Sequence, residues 1–168
     1  MQQTATNFVG VSYGAKDYHR IGTICKYCLA CVTVVSAATG FLAYTFGRQL
    51  LSIYIVDSAQ AIEYGLTRLM CIGLPYFLDG LMDVMTGIIR GMGYSLVPMI
   101  LTIMGACVFR IVWIYTIFQV PAFHTLQWLF VSYPISWTLT FLAELVCFIV
   151  LYRKVKLRAI EEAETAVI

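Results

Sequence analysis

Four charged side chains lie inside long apolar stretches of this sequence. Asp79 and Asp83 share one stretch, Arg110 lies in the next, and Glu144 lies in the last. A charge at the middle of a membrane helix raises the free energy of insertion by about 2.5–3.5 kcal/mol, so such residues are functional candidates by default. Carboxylates in this setting can bind Na⁺ or exchange H⁺, and an arginine can balance their charge.

The two aspartates are placed to act together. They are four residues apart, which puts both carboxylates on one face of a helix, and Tyr76 shares that face three residues before Asp79. Two carboxylates held close together in a medium of low dielectric can exchange a proton or hold Na⁺ through their oxygens. Pro75 removes one backbone hydrogen bond and predicts a bend just before the pair.

Each of these charges also has an interpretation without function. The aspartates could be solvated near the helix end, or neutralised by Arg90 or Arg110. The long side chain of Arg110 could reach the outer interface or pair with an acidic group across the bundle. Glu144 could be a counter-charge for a neighbour or part of a cation path. The sequence leaves these alternatives open.

Composition and apolar length predict the elements that carry these residues. The chain has 168 residues, of which 61% are hydrophobic and only 12% are charged, whereas soluble domains average about 25% charged residues. Runs near or above the ~20 residues that cross a bilayer must be helical, since lipid cannot satisfy backbone groups. Four such runs predict an all-α integral membrane protein: about 23–46, 66–89, 96–118 and 126–152. Residues 1–22 form a predicted cytoplasmic lead-in, 23–152 the membrane region, and 153–168 a cytoplasmic tail.

Basic residues predict the orientation of the spans. One predicted side of the membrane carries eight of them: Lys16, Arg20, Lys26, Arg90, Arg153, Lys154, Lys156 and Arg158. The other side carries Arg48 and Arg68 alone. Because lysine and arginine favour cytoplasmic loops, both termini are expected in the cytoplasm of a multi-pass cell-membrane protein. Asp57, in the connection before the second run, is a predicted N-cap.

Other patterns point to packing rather than catalysis. Cys25, Cys28 and Cys31 are spaced by three within an apolar run, which predicts a helical stripe of small side chains, with a thiol oxidoreductase as the alternative. Ser132, Ser136 and Thr138 are predicted to form interhelical hydrogen bonds. No nucleophile, metalloprotease or nucleotide-binding motif is present, so neither an enzyme activity nor a cofactor is expected.

Six segments carry a family resemblance, in order and at fitting intervals. They are Asn7–Arg20, Leu50–Asp57, Leu74–Tyr76, Ile89–Tyr94 with its Arg90-Gly-Met-Gly turn, Arg110-Ile111 and Pro134–Trp137. Together they resemble the C-terminal part of MATE (multidrug and toxic compound extrusion) transporters. Val11-Ser12 depart from this pattern, since the family commonly has Gln-Asn there.

The resemblance implies an antiporter that exports drugs or organic cations in exchange for inward H⁺ or Na⁺. The family has twelve helices in two bundles, and this chain resembles the last four. Met1 is therefore expected to be a start inside a larger gene, a split gene or a gene remnant. The remaining helices would be supplied in cis or in trans, and the isolated chain is expected not to transport. The acidic residue of the family's tenth helix maps to Asp79, where Na⁺ could bind. The expected partners are the bilayer and small cationic or amphipathic drug-like substrates, not nucleic acid.

Two further functions stay open. One is a flippase-like relative of the same superfamily. The other is a stand-alone four-helix protein that oligomerises or binds a partner, for which Gly80, Gly87 and Gly91 would permit close helix packing.

Overall fold

Helices account for every regular element in the computed structural model, which describes residues 1–54 and 59–165. The α-helices are α1 (Gln2–Gly14), α2 (Tyr18–Thr45), α3 (Gly47–Tyr54), α4 (Ala59–Arg68), α5 (Tyr76–Gly91), α6 (Leu96–Thr102), α7 (Phe109–Tyr115) and α8 (Leu126–Thr165). Two π-helical segments, Leu69–Gly73 and Ile103–Val108, extend α4 and join α6 to α7. Short 3₁₀ turns at Ile117–Gln119 and Pro121–Phe123 lead into α8. Asp57, the predicted N-cap, lies outside the described residues.

Three helical stretches are long and apolar enough to cross a membrane. They are Tyr18–Thr45, Leu96–Gln119 and Leu126–Leu157. A fourth candidate is a bent pair, Ile62–Gly73 and Tyr76–Gly91, whose halves meet at 44°. The all-α membrane fold predicted from the sequence is therefore confirmed, and the predicted number of four spans holds if the bent pair is one span. The bend falls at Pro75, where a backbone donor is missing.

The predicted lead-in contains a helix that packs into the bundle. Ala5, Val9 and Ser12 of α1 are buried, and the Thr6 hydroxyl donates a hydrogen bond to the carbonyl of Gly87 at 3.0 Å. Residues 2–14 are thus an integral part of the helical packing around α5. At the other end of the chain, α8 continues through the first part of the predicted tail to Thr165.

The core surrounds the C-terminal half of α5. Val84, Met85, Ile88 and Ile89 are fully buried there, in contact with the buried faces of α1, α2 and α8. Many large apolar side chains elsewhere are exposed, and Val146 of α8 is 62% exposed. An apolar exterior around a packed centre is the arrangement that lipid as a solvent requires.

Glycines on α5 bring neighbouring helices into close contact. A Cβ at Gly91 would lie 2.8 Å from the Thr6 carbonyl oxygen of α1, and one at Gly80 would lie 2.8 Å from Val32 of α2. Gly87 faces Gln2 of α1 in the same way. These glycines therefore serve helix packing within the chain, so they give no support to oligomerisation.

Candidate functional site

Glu144 is the most enclosed ionisable group that the structure describes. Its side chain is fully buried on α8. Its Oε1 accepts hydrogen bonds from the hydroxyls of Thr86 at 2.7 Å and Thr102 at 3.2 Å. Its Oε2 is buried and has no hydrogen-bond partner among the described residues. One carboxyl group thus joins α5, α6 and α8 and keeps one oxygen available.

The two threonines contribute unequally to this site. A hydroxyl has one proton to donate, and the Thr102 hydroxyl also lies 2.8 Å from the carbonyl of Pro98, one turn earlier in α6. The Thr102 proton is therefore shared between two acceptors. Thr86 lies in the buried half of α5 and makes the shorter bond. Thr86 is accordingly the principal donor to Glu144.

A π-helical segment sets the distance between α6 and Glu144. Thr102 ends α6, and the π helix begins at Ile103. Gly105 within that segment lies directly against Thr140, one turn before Glu144 on α8, where a Cβ would collide with the threonine side chain. Because π-helical segments occur frequently at functional sites, this irregularity agrees with the placement of a polar group beside it.

Asp79 and Asp83 lie on α5, the helix whose Thr86 binds Glu144. Asp79 is partly buried, and Asp83 is exposed. Electrostatic interactions act on Asp79 from Asp83 and Arg110, and Glu144 interacts with Asp83. Arg90 acts as a positive charge on both Asp83 and Glu144. Neither aspartate forms a hydrogen bond or direct ion pair within the described part of the chain. The arginines therefore act on the carboxylates as counter-charges, without direct contact with either aspartate.

Arg110 is held by side chains of α8. Its guanidinium carbon lies 3.9 Å from the centre of the Tyr133 ring, and Nε and Nη2 each donate to the Ser136 hydroxyl at 3.3 Å. The Trp137 ring is 5.9 Å away. On the far side of this group, Tyr76 meets Trp137 edge to face, with ring centroids 6.0 Å apart. Tyr76 and Arg110 thus converge on one aromatic cluster next to Asp79.

Sequence reasoning missed two of the residues that hold these side chains. Thr102 and Tyr133 stand in apolar helices that contain many similar residues, and no local signal distinguishes them. Ser136 does bridge two helices as predicted, through Arg110. Ser132 and Thr138 instead donate to backbone carbonyls of their own helix, so the prediction that they bridge helices was wrong.

The three cysteines of α2 lie in different environments. Cys25 is buried, Cys28 is partly buried and Cys31 is exposed, and all are free thiols. Their different environments fit a packing stripe that rotates from the core toward lipid. No group of three or more His, Cys, Asp or Glu side chains is placed to hold a metal ion within residues 1–54 and 59–165.

Comparison with known proteins identifies the family. The family model MatE matches residues 1–116, which is more than half of the chain. The match includes the α5 carboxylates and Arg110, and it ends before α8 and Glu144. No curated protein matches the chain. The resemblance seen in the sequence is therefore confirmed, and the chain belongs to the MatE family of membrane transporters.

Proposed function

We propose that this chain provides the cation-exchange part of an antiporter that exports organic or drug-like cations in exchange for inward H⁺ or Na⁺. The observation that carries the proposal is the fully buried Glu144 carboxyl group, whose Oε1 accepts from two hydroxyls and whose Oε2 has no hydrogen-bond partner in the part of the chain that the structure describes. Membership of the MatE family supports a transport function, and the Glu144 carboxyl group is the group that we propose exchanges cations.

The environment of Glu144 favours exchange over a purely structural role. An isolated carboxylate taken out of water without a partner is penalised by several kcal/mol. Two hydroxyl donors offset part of that penalty at Oε1, while Oε2 has no hydrogen-bond donor among the described residues. A proton or a cation at Oε2 would offset the rest of the penalty. A site that favours one positive charge in this way can exchange one cation for another.

Asp79 and Asp83 provide the route to this site. They lie one helical turn apart on α5 and interact electrostatically with each other, and Asp83 interacts with Glu144. A cation that arrives at the aspartates makes a second positive charge at Glu144 less favourable. We infer that substrate cation and coupling ion exclude one another electrostatically, which is the condition for antiport. Na⁺ binding near Asp79 would operate in the same way.

Proton release on binding of an organic cation tests this proposal without requiring transport. The purified chain in lipid nanodiscs is mixed with tetraphenylphosphonium in weakly buffered solution, and released protons are measured with a pH indicator. Repeating the titration with NaCl tests Na⁺ as the coupling ion. We expect proton release from the wild type and its loss in Glu144→Gln.

The matched control is Glu63→Gln, the same chemical change at an exposed carboxylate on α4. This variant is expected to release protons as the wild type does. Equal release from Glu144→Gln and the wild type would remove Glu144 from the exchange site. Absence of release from every variant, with organic cation binding intact, would contradict proton coupling.

The orientation and location of the protein complete the proposal. We propose that both termini face the cytoplasm and that the protein resides in the cell membrane, on the basis of the eight-to-two distribution of basic residues. Reporter fusions at each terminus, one active only inside and one only outside, test this orientation in cells. A reporter active on the outside would reverse the direction assigned to exchange.

A further inference from the structure

The Thr102 hydroxyl lies between two acceptors that belong to different helices. It is 2.8 Å from the carbonyl oxygen of Pro98 in its own helix, α6, and 3.2 Å from Oε1 of Glu144 on α8. Because a hydroxyl has one proton, it donates fully to only one acceptor at a time. We propose that ion loading at Glu144 determines which acceptor Thr102 uses, and that this choice moves α7 with Arg110. The inference rests on the cation exchange proposed above for Glu144.

The charge of Glu144 determines which acceptor is the stronger one. A hydrogen bond to an ionised carboxylate is roughly twice as strong as one to a neutral acceptor, so an ionised Glu144 attracts the Thr102 proton. A proton or a cation on the carboxyl group reduces its charge, and the nearer Pro98 carbonyl then becomes the better acceptor. Thr102 therefore bonds α6 to α8 when Glu144 is ionised, and it bonds within α6 when Glu144 is loaded.

Thr102 provides the polar contact between its helical stretch and Glu144. The sequence from Leu96 to Val108 contains no charged residue and one hydroxyl, that of Thr102. The titratable and charged groups that interact electrostatically with Glu144 lie on α5 and α8: Asp83, Arg90 and Cys147. Those groups influence whether Glu144 is ionised. The hydroxyl is the group through which α6 responds to the result.

The change of acceptor occurs where the helix can bend. A threonine hydroxyl that bonds the carbonyl one turn back often bends its helix, and the π-helical segment begins at the next residue, Ile103. Sharp kinks in helices concentrate at such segments. Gly105 within the segment contacts Thr140 of α8 so closely that no Cβ would fit between them. We infer that this contact is the fixed point about which α7 moves relative to α6.

Movement of α7 reaches the accessible carboxylates through Arg110. This residue follows the π-helical segment by two positions and interacts electrostatically with Asp79. Its stack on Tyr133 and its two 3.3 Å bonds to Ser136 would lengthen if α7 changed direction. A loaded Glu144 would thereby change the positive potential at Asp79. By linkage, a cation at Asp79 would change the ion affinity of Glu144 by the same factor.

Fluorine NMR of the purified full chain, labelled with 5-fluorotryptophan, tests this inference. The chain has three tryptophans, and two lie where movement of α7 is expected. Trp113 is on α7 itself and donates to the Trp128 carbonyl at 3.2 Å. The Trp137 ring centre is 5.9 Å from the Arg110 guanidinium carbon. We expect acidification of the wild type to shift both resonances toward their positions in Glu144→Gln, whose side chain is always neutral.

Thr102→Val keeps the shape of the side chain and removes its hydroxyl. The shift of the Trp113 resonance caused by Glu144→Gln is measured with and without Thr102→Val, and the difference is the part that passes through the hydroxyl. We expect most of the shift to be lost in Thr102→Val and to be kept in Thr102→Ser, which retains a hydroxyl. Thr33→Val is the matched control, since it removes a hydroxyl bond to the carbonyl one turn back on α2, and it should keep the shift.

The outcomes separate this inference from the exchange proposal. Equal shifts with and without the Thr102 hydroxyl would overturn the inference, and Thr102→Ala is a second removal of that hydroxyl if Thr102→Val does not fold. Wild-type resonances that ignore acidification, while proton release on binding of tetraphenylphosphonium is observed, would also overturn it and leave exchange at Glu144 standing. Absence of proton release from the wild type with either tetraphenylphosphonium or NaCl, with cation binding intact, would contradict exchange at Glu144 and with it this inference.

Discussion

The two halves of α5 place acidic chemistry in opposite environments. Its C-terminal half, from Met82 to Ile89, is almost entirely buried among α1, α2 and α8, and Thr86 there binds the enclosed Glu144. Its N-terminal half is partly exposed and carries Tyr76 and Asp79. One half therefore forms an enclosed polar site, and the other forms an accessible surface on the same helix.

This difference shows why position in an apolar run does not define a residue's role. Asp79 and Glu144 both appear as isolated carboxylates in the sequence, and by that criterion they are equivalent. In the structure Glu144 has two hydroxyl donors, whereas Asp79 has electrostatic neighbours and no hydrogen bond to a described residue. The enclosed group is suited to hold an ion, and the accessible group is suited to deliver one.

The largest expected effect comes from alanine substitutions at one glycine in each half. In Gly91→Ala the new Cβ would meet the Thr6 carbonyl oxygen and the Val9 Cβ, each at 2.8 Å, and neither can move without displacing α1. In Gly80→Ala the neighbours are the ends of the Val32 and Ser36 side chains at 2.8 and 2.9 Å, which can rotate. We expect Gly91→Ala to lower the free energy of unfolding by about 1–3 kcal/mol and Gly80→Ala by less than about 1.

Denaturation of both variants in detergent, followed by circular dichroism, measures this difference. Alanine raises helix propensity relative to glycine by a similar amount at both positions, so that contribution cancels. Equal destabilisation of the two variants would mean that the backbone of α1 moves as readily as a side chain. The two halves of α5 would then not differ in how rigidly they are packed.

A smaller effect is expected from the hydroxyl that binds Glu144. Thr86→Val preserves shape and removes the 2.7 Å donor to Oε1. Interhelical hydrogen bonds in membrane proteins contribute about 0.6 kcal/mol on average and up to about 1.7, and we expect the upper part of this range because Thr102 divides its proton between two acceptors. Thr138→Val, which removes a bond to the backbone of its own helix, is the control and should change stability little. An unchanged free energy of unfolding in Thr86→Val would show that the packing of Glu144 does not depend on this donor.

Much of the fold follows from the sequence, because a bilayer permits few solutions. Apolar runs of sufficient length must be helices, and Pro75 must interrupt one of them, and both features are present. The helical lead-in could not be predicted from apolar length, since only one face of α1 is buried and its moderate polarity is typical of a loop. The π-helical segments also have no clear sequence signal, because they depend on how α4 and α6 fit against α8.

The candidate site was predicted in its residue types but not in its arrangement. Charges within apolar runs identified Asp79, Asp83, Arg110 and Glu144. Which of them would be enclosed depends on the rotation of each helix, and small-residue contacts such as Gly105 against Thr140 determine that rotation. Those contacts join residues far apart in the chain, so helical periodicity within one segment contains no information about them.

The smallest expected effect concerns Arg110 of α7, which interacts electrostatically with Asp79 in the N-terminal half of α5. Arg110→Lys keeps the positive charge near Asp79 but loses the planar stack on Tyr133 and the paired bonds to Ser136. We expect a loss of about 0.5–1 kcal/mol in unfolding free energy, the usual contribution of such a cation–π contact at an accessible site. Arg68→Lys, at an exposed position at the end of α4, is the control and should leave the free energy of unfolding unchanged. If Arg110→Lys matches the wild type while Arg110→Gln does not, charge near Asp79 is the sole contribution of this residue. Arg110 would then act as a counter-ion to the carboxylates of α5, and the aromatic cluster would no longer explain how α7 is held against α8.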